Sequence, residues 1–356
     1  MLALQGTSAA QLARALPGIT LAEARKVVSA VHRGRSIDVP VVGVRRTSLE
    51  VIRASCHVPE LAIQAERASA LDPFVKFALR THDGHVLETV RIPLERTGRF
   101  TACVSSQVGC ALACRFCATG RLGLVRNLES WEIVEQVRVV RRSLGAGSGA
   151  PVVGAARVHG VVFQGMGEPL SNLDRVLEAI ATMCDPSALA IDARAITVCT
   201  AGLPSGIRRL AREAPRVRLA VSISSARRDV RRSLMPIEAS HALDEVIEAA
   251  VEHAQATGLA PMWAVTLLAG VNDTEEDARA LAELAASFSV RAGVRPRISI
   301  VPYNPIDPDD DPFRRTTDAR EASYRAVLGA HGHPSHKRYS GGSDVDAACG
   351  QLAGRS

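Results

Sequence analysis

Lysine is scarce in this chain: Lys26, Lys76 and Lys337 stand alone among 43 basic residues, and the others are arginines. Aromatic residues are scarce too, at 3 % of 356 residues, which argues against a nucleic-acid binder built on rows of stacking platforms. Any base that binds must be held mainly by a pocket. No window approaches the roughly 18 consecutive apolar residues of a membrane span, and no charged segment precedes the apolar start at residues 1–18, so membrane and secretory readings both fail. The cytoplasm is the expected compartment. Glycine (27) and proline (18) are too few for a disordered or fibrous chain.

What is present is ordinary globular material, 47 % apolar and 22 % charged, long enough for one large domain and a smaller one. The net charge of +6 leans modestly toward a polyanionic partner such as nucleic acid. Arginine's planar fork suits phosphate contact, although GC-rich codon usage would produce the same bias. Arg115, Arg121 and Arg126 are candidate phosphate contacts.

Residues 8–16 and 21–32 carry apolar residues at helical spacing, and Thr20 with Glu23 forms a capping box. Residues 1–70 read as a helical accessory module. Alternation from Phe74, the Asp83-Gly84 turn and the run from Val86 to Ile92 predict a β-hairpin over 71–95. From about residue 96 to 338, six units repeat: strands at 101–105, 158–164, 195–200, 217–223, 263–268 and 298–302, with helices at 130–143, 172–184, 204–213, 241–257, 274–287 and 317–331. Alternating strands and helices imply parallel βαβ units, with ligands at the carboxyl ends of the strands. Six units are fewer than a closed eightfold barrel, so the fold class is α/β, a partial (β/α)6 barrel. The segments 145–149 and 307–312 read as surface loops, and 339–356 as a short tail.

Eight cysteines in a cytoplasmic chain suggest metal or redox chemistry before disulfides. Cys110, Cys114 and Cys117 stand in Gly109-Cys-Ala-Leu-Ala-Cys-Arg-Phe-Cys-Ala118, directly after the first barrel strand. Thiolates favour zinc or iron–sulfur clusters, and three ligands leave one coordination position open for chemistry. The alternative is a structural zinc site whose fourth ligand is Cys103. A protein of that kind would bind RNA without catalysis.

C-x3-C-x2-C with an aromatic before the third cysteine resembles the radical SAM enzymes. Cys-Val-Ser-Ser-Gln-Val-Gly-Cys at 103–110, Gly-Met-Gly-Glu-Pro-Leu at 165–170 and Asp-Ala-Ala-Cys-Gly-Gln-Leu at 346–352 are similar to the RlmN/Cfr family of RNA adenosine methyltransferases, over about residues 70–354. The resemblance implies a [4Fe–4S] cluster on Cys110, Cys114 and Cys117 that binds S-adenosylmethionine (SAM) and cleaves it to a 5′-deoxyadenosyl radical. Such a route suits C2 or C8 of adenine, electron-poor carbons with no lone pair to attack a sulfonium. It also implies that Cys349 carries the methyl group as S-methylcysteine and that Cys103 resolves the protein–RNA crosslink, with a Cys103–Cys349 disulfide as a resting form. Glu88 matches the family's proton acceptor, although a hairpin glutamate by itself reads as a solvated charge, just as Cys349 by itself reads as a small buried hydrophobe.

For SAM, the matching positions are Gly167, Glu168, Cys199, Ser222, Ile223, Ser224 and Asn304. Cys199 stands where serine is usual, Ser222-Ile223-Ser224 where Ser-Leu-His is typical, and Ser340-Gly-Gly-Ser-Asp344 where Arg-Gly-Asp-Asp is typical. The resemblance further implies an adenosine in 23S rRNA as substrate, with tRNA as a second one and C2 favoured over C8. An electron donor such as flavodoxin, no membrane and a monomeric state complete the expectation. Cys56 and Cys184 match no motif and read as structural.

Overall fold

The computed structural model describes residues 1–145, 156–307 and 311–354, so most of the 145–149 and 307–312 loops lies outside the described residues. Ten strands form one sheet: β1 (Ala62–Ala68), β2 (Val75–Arg80), β3 (Val86–Pro93), β4 (Arg99–Cys103), β5 (Arg157–Phe163), β6 (Ile196–Thr200), β7 (Arg218–Ser222), β8 (Met262–Leu267), β9 (Arg297–Pro302) and β10 (Ser335–Lys337). Every strand lies beside its predecessor in the chain. β1 to β4 pair antiparallel and β4 to β10 parallel.

The parallel strands are apolar runs because helices cover them. Ser130–Ser143, Leu173–Cys184, Pro204–Glu213, Leu243–Thr257, Glu275–Ala292 and Asp318–Ala330 occupy the expected places. Glu275–Ala292 shows why these helices form where they do. Thr274 and Asp277 cap its start reciprocally, Gly293 ends it in the left-handed conformation, and Ala278, Leu281, Ala282, Ala285 and Phe288 make its buried face. Phe288 meets Trp263 of β8 edge to face, ring centroids 5.2 Å apart.

Two strands differ from the sequence expectation. β1 lies within the 1–70 stretch read as helical, yet it extends the hairpin to three strands through backbone pairing with β2. Its side chains are nearly all exposed, so no apolar alternation marks it. β10 adds a seventh parallel strand of three residues, too short to carry a period. The helices Ala9–Ala15, Leu21–His32 and Arg46–Ser55 pack around their own core of Leu4, Leu12, Val27, Val28, Val31, Leu49 and Ile52. That module rests on the barrel helices, with Arg138 donating to the Val31 carbonyl (3.1 Å) and Thr182 to that of Gly6 (3.1 Å). Cys56 lies in the small core, and Cys184 packs against the large one. No helix among the described residues is long and apolar enough to cross a membrane.

Candidate active site

The loops leaving the carboxyl ends of β4 to β9 converge on a cavity of about 940 Å3. After β4 the chain makes a short strand, Gln107–Cys110, and turns through Ala113 at φ 51° to bring Cys110, Cys114 and Cys117 to the cavity wall. Gly109 is required there, since a Cβ on it would stand 1.9 Å from the Gly123 carbonyl oxygen of the facing strand Gly123–Asn127. Burial pushes the Cys110 thiol up to about 11 and Cys114 further, the neighbouring thiols adding to the Cys114 shift. Among the described residues no three His, Cys, Asp or Glu side chains form a site for a metal ion. Cys103, the candidate fourth zinc ligand, does not line this cavity.

Gly167 (φ 100°) passes so close to Gln107 that an added Cβ would lie 2.6 Å from the Gln107 Cβ. This lets Gln107 Oε1 accept from the Glu168 amide at 2.8 Å. Buried Glu168 accepts from the amides of Leu170 (3.0 Å) and Ala201 (2.8 Å), and burial nevertheless raises its carboxyl to about 7. Cys199 and Ser222 line the same cavity. Burial lifts the Cys199 thiol to about 12, so it serves as a neutral group, aimed at Gln164 Oε1 3.8 Å away. Arg231, fully buried against Glu238 (3.0 Å), holds the loop ends by donating to the carbonyls of Ser222 (2.7 Å), Ile223 (2.5 Å) and Ala201 (2.7 Å).

A second cavity of about 590 Å3 adjoins the first, and Cys117, Thr119, Gln164, Gly165, Cys349 and Gly350 line both. Its remaining lining includes Cys103, Phe74, Ile92, Leu352 and Arg338. The tail that carries Cys349 is tied down along its length. Ala118 N donates to Gly350 O (2.8 Å), Asn304 Nδ2 to Cys349 O (3.1 Å) and Gln351 Nε2 to Pro305 O (2.9 Å). Cys103 and Cys349 are both free thiols, as are the other six cysteines. Burial raises the Cys103 thiol strongly, with the neighbouring Cys349 adding to the shift.

A sequence profile of the radical SAM superfamily matches residues 104–285. A probable RNA methyltransferase of Sorangium cellulosum is 57 % identical over 94 % of this chain and 88 % of its own length. The dual-specificity RNA methyltransferase RlmN of Syntrophobacter fumaroxidans is 39 % identical over 81 % of this chain and 78 % of its own. The crystal structure of a radical SAM methyltransferase from Sphaerobacter thermophilus superposes with a TM-score of 0.87 at 32 % identity, each chain covered in full. The chain belongs to the radical SAM RNA methyltransferases.

This radical SAM family implies a [4Fe–4S] cluster and SAM, and the larger cavity fits both. It presents the three thiols of one short segment, Cys110, Cys114 and Cys117, the donor set of a cluster with one iron left free, while Cys199 and Cys349 reach it from other parts of the chain. The residues that would hold the cluster are Cys110, Cys114 and Cys117, with Gly167, Glu168, Cys199 and Ser222 beside SAM. The structure gives the other matched positions the following surroundings. Ile223 is fully buried, Ser224 sits at φ 56° with its carbonyl held by Asn272 (2.6 Å), and Asn304 spends its amide on Ser340 (2.9 Å) and the Cys349 carbonyl. None of the three lines the larger cavity.

Glu88 is fully buried on β3 rather than solvated. Oε1 lies 3.0 Å from Lys76 Nζ, and Oε2 accepts from the amides of Ala353 (2.8 Å) and Gly354 (3.1 Å). It lines neither cavity. Arg126 is unavailable as a phosphate contact because Asp83 (2.6 Å) and Glu132 (2.8 Å) both claim its guanidinium. Arg115 lies over the Phe313 ring, and Arg121 faces Asp311 at 3.6 Å. The sequence reading missed Arg338, Gln164 and Arg231, and an arginine without a motif has no signal in a chain so rich in them.

Proposed function

We propose that this enzyme methylates an adenosine carbon in RNA, C2 of an adenosine in 23S rRNA first and tRNA second, with Cys349 as the methyl carrier. One observation carries the reading: Cys349 stands in the wall shared by two adjoining cavities. A carrier must face its methyl donor on one side and its acceptor on the other. The larger cavity has the cluster thiols, and the smaller has the apolar lining and Cys103 that suit a base drawn out of its RNA stack.

When bound, the cluster and SAM supply a methyl group and a hydrogen-abstracting radical. Cys349 accepts the methyl and presents it, as a carbon radical, to the base. The adduct gives up one electron to the one-electron carrier that serves the cluster; Cys103, lining the base cavity, then attacks the Cys349 sulfur as a thiolate, the S–S bond forms as the Cys349 carbon–sulfur bond breaks, and the carbon left on the base takes up a proton to become the methyl group. Glu88 takes up the proton lost from the substituted carbon, which requires the Ala353 and Gly354 amides to release its carboxylate. A one-electron donor such as flavodoxin serves the cluster.

A second reading, a paralogue acting at C8 or on another RNA, is favoured by a specific observation. Relatives in Sorangium and Anaeromyxobacter, 57 % and 42 % identical, are named only as probable RNA methyltransferases, and Cys199 and Ser224 depart from the usual residues. The test is anaerobic reconstitution, incubation of wild type and Cys349→Ala with SAM, reductant, rRNA and tRNA, and mass spectrometry of the digested nucleosides. A 2-methyladenosine peak absent from the variant supports the first reading, and an 8-methyladenosine peak the second. Intact SAM cleavage with no methylated adenosine in either RNA overturns the first reading and the C8 form of the second, leaving action on another RNA.

A further inference from the structure

Arg338 follows β10 and donates its amide to the Ile300 carbonyl of β9 (2.8 Å), which fixes its backbone at the rim of the smaller cavity. Its guanidinium points inward. Nη1 is shut off from solvent and has no hydrogen-bond partner. Most arginines lining this protein's interior are satisfied: Arg231 has Glu238 and three carbonyls, and Arg138 has Glu135 and the Val31 carbonyl. A buried guanidinium nitrogen left without an acceptor loses more than it gains unless something else supplies one.

We infer that Arg338 binds the target base, donating a hydrogen bond to the ring nitrogen beside the carbon that is methylated. This rests on the reading above. Three observations select this ligand group. Arg338 lines the cavity that holds Cys103, which Cys110, Cys114 and the positions placed beside SAM, Gly167, Glu168, Cys199 and Ser222, do not line, so its acceptor is not drawn from the SAM side. Phe74, Ile92, Ala347 and Leu352 give the cavity an apolar side that suits the face of a base, and Arg338 is the one cationic side chain in its lining, beside neutral Thr119, Gln164, Tyr339 and Ser340. Cys349, which delivers the carbon to the base, and Cys103, which releases it, line the same small space as Arg338, so an acceptor within reach of Arg338 lies near the reacting carbon.

The chemistry gives that hydrogen bond a role in rate. When a carbon radical adds to the ring, one π electron pairs with it in the new carbon–carbon bond. The other spreads onto the adjacent nitrogen, N1 and N3 for attack at C2 or N7 for attack at C8. That nitrogen becomes a better acceptor as the bond forms, so a preplaced guanidinium stabilises the transition state more than the bound substrate. Arg338 keeps its proton throughout, and the electron count is unchanged by its presence.

The test uses the full-length reconstituted enzyme with Arg338→Gln and Arg338→Lys. Formation of S-methyl-Cys349 without RNA, read by peptide mass spectrometry, should proceed in both variants as in wild type. Methyl transfer to RNA should fall in Arg338→Gln by about 10²–10³-fold in kcat, with KM for RNA little changed and Arg338→Lys recovering part of the rate. RNA in which one adenine ring nitrogen is replaced by CH should slow the wild type similarly at one position only, and should slow Arg338→Gln no further. Three results overturn the inference: loss of Cys349 methylation in the variants, multiplicative effects of variant and modified RNA, or an unchanged rate in Arg338→Gln. Failure of the wild type to methylate adenosine would instead refute the reading on which it rests.

Discussion

Lys76 and Glu88 make the most consequential buried ion pair in the molecule, because the tail carrying Cys349 is fastened to both. Lys76 Nζ stands 3.0 Å from Glu88 Oε1 and donates to the Asp346 carbonyl at 3.3 Å, while Glu88 Oε2 holds the amides of Ala353 and Gly354. Their side chains are 5 % and 0 % exposed. Lys76→Met therefore strands a carboxylate out of water, and Glu88→Gln strands an ammonium; each should cost about 3–5 kcal/mol. The double variant buries no charge and loses only part of the strength of two amide bonds, so it should be destabilised by about 2–3 kcal/mol. The coupling energy is then at least about 3 kcal/mol, far from additivity. Denaturant unfolding of the four proteins measures it, and hydrogen exchange reads the amides of 346–354, which should lose protection in every variant. Additive single effects, or tail amides that stay protected, would show that this pair does not hold the tail.

Gly167→Ala should act on stability and on SAM together. The left-handed φ and the 2.6 Å approach to Gln107 strain the new residue by about 1–3 kcal/mol, so thermal unfolding should move down and calorimetric SAM affinity should weaken; a variant that matches wild type in both contradicts the close packing. His253 lies fully buried in the helix Leu243–Thr257 with neither ring nitrogen partnered, and burial lowers its pKa to about 4. Its folded pKa is below the unfolded value, so its contribution is complete above about pH 6.5 and declines as pH falls to about 4, a loss of about 3 kcal/mol. His253→Leu should flatten the stability curve in that window, and an unchanged slope would assign the acid sensitivity elsewhere.

The six strand–helix units were legible because each is a local signal: an apolar run, a cap, a helical period. The elements that escaped are those held by pairing alone, β1 with exposed side chains on both faces and β10 with three residues. The cluster cysteines were legible for a similar reason, since one short loop carries all three. The second half of the site was legible only as motifs, because it is assembled from distant segments. Thr119 meets Leu352, Glu88 meets Ala353, and Asn304 meets Cys349. The resemblance supplied residue names for these positions, and the structure adds what a name does not contain, namely that Glu88 is sealed by the tail and Asn304 is occupied in holding it.

Arginine shows most directly what composition hides. Arg126, near the barrel mouth and on a chain with surplus positive charge, reads as a phosphate contact, yet two carboxylates neutralise it. Arg338 carries no motif and sits after a strand too short to be recognised, yet it presents a guanidinium nitrogen without an acceptor to the cavity lined by Cys103 and Cys349. The two side chains are chemically identical, and their difference lies wholly in what the fold places around them. Arg91 and Arg325 also keep a buried Nε without an acceptor, but neither lines that cavity; an unsatisfied buried donor is expensive to keep, so an arginine left unpaired at the reactive cavity is a better pointer to substrate than the many already paired.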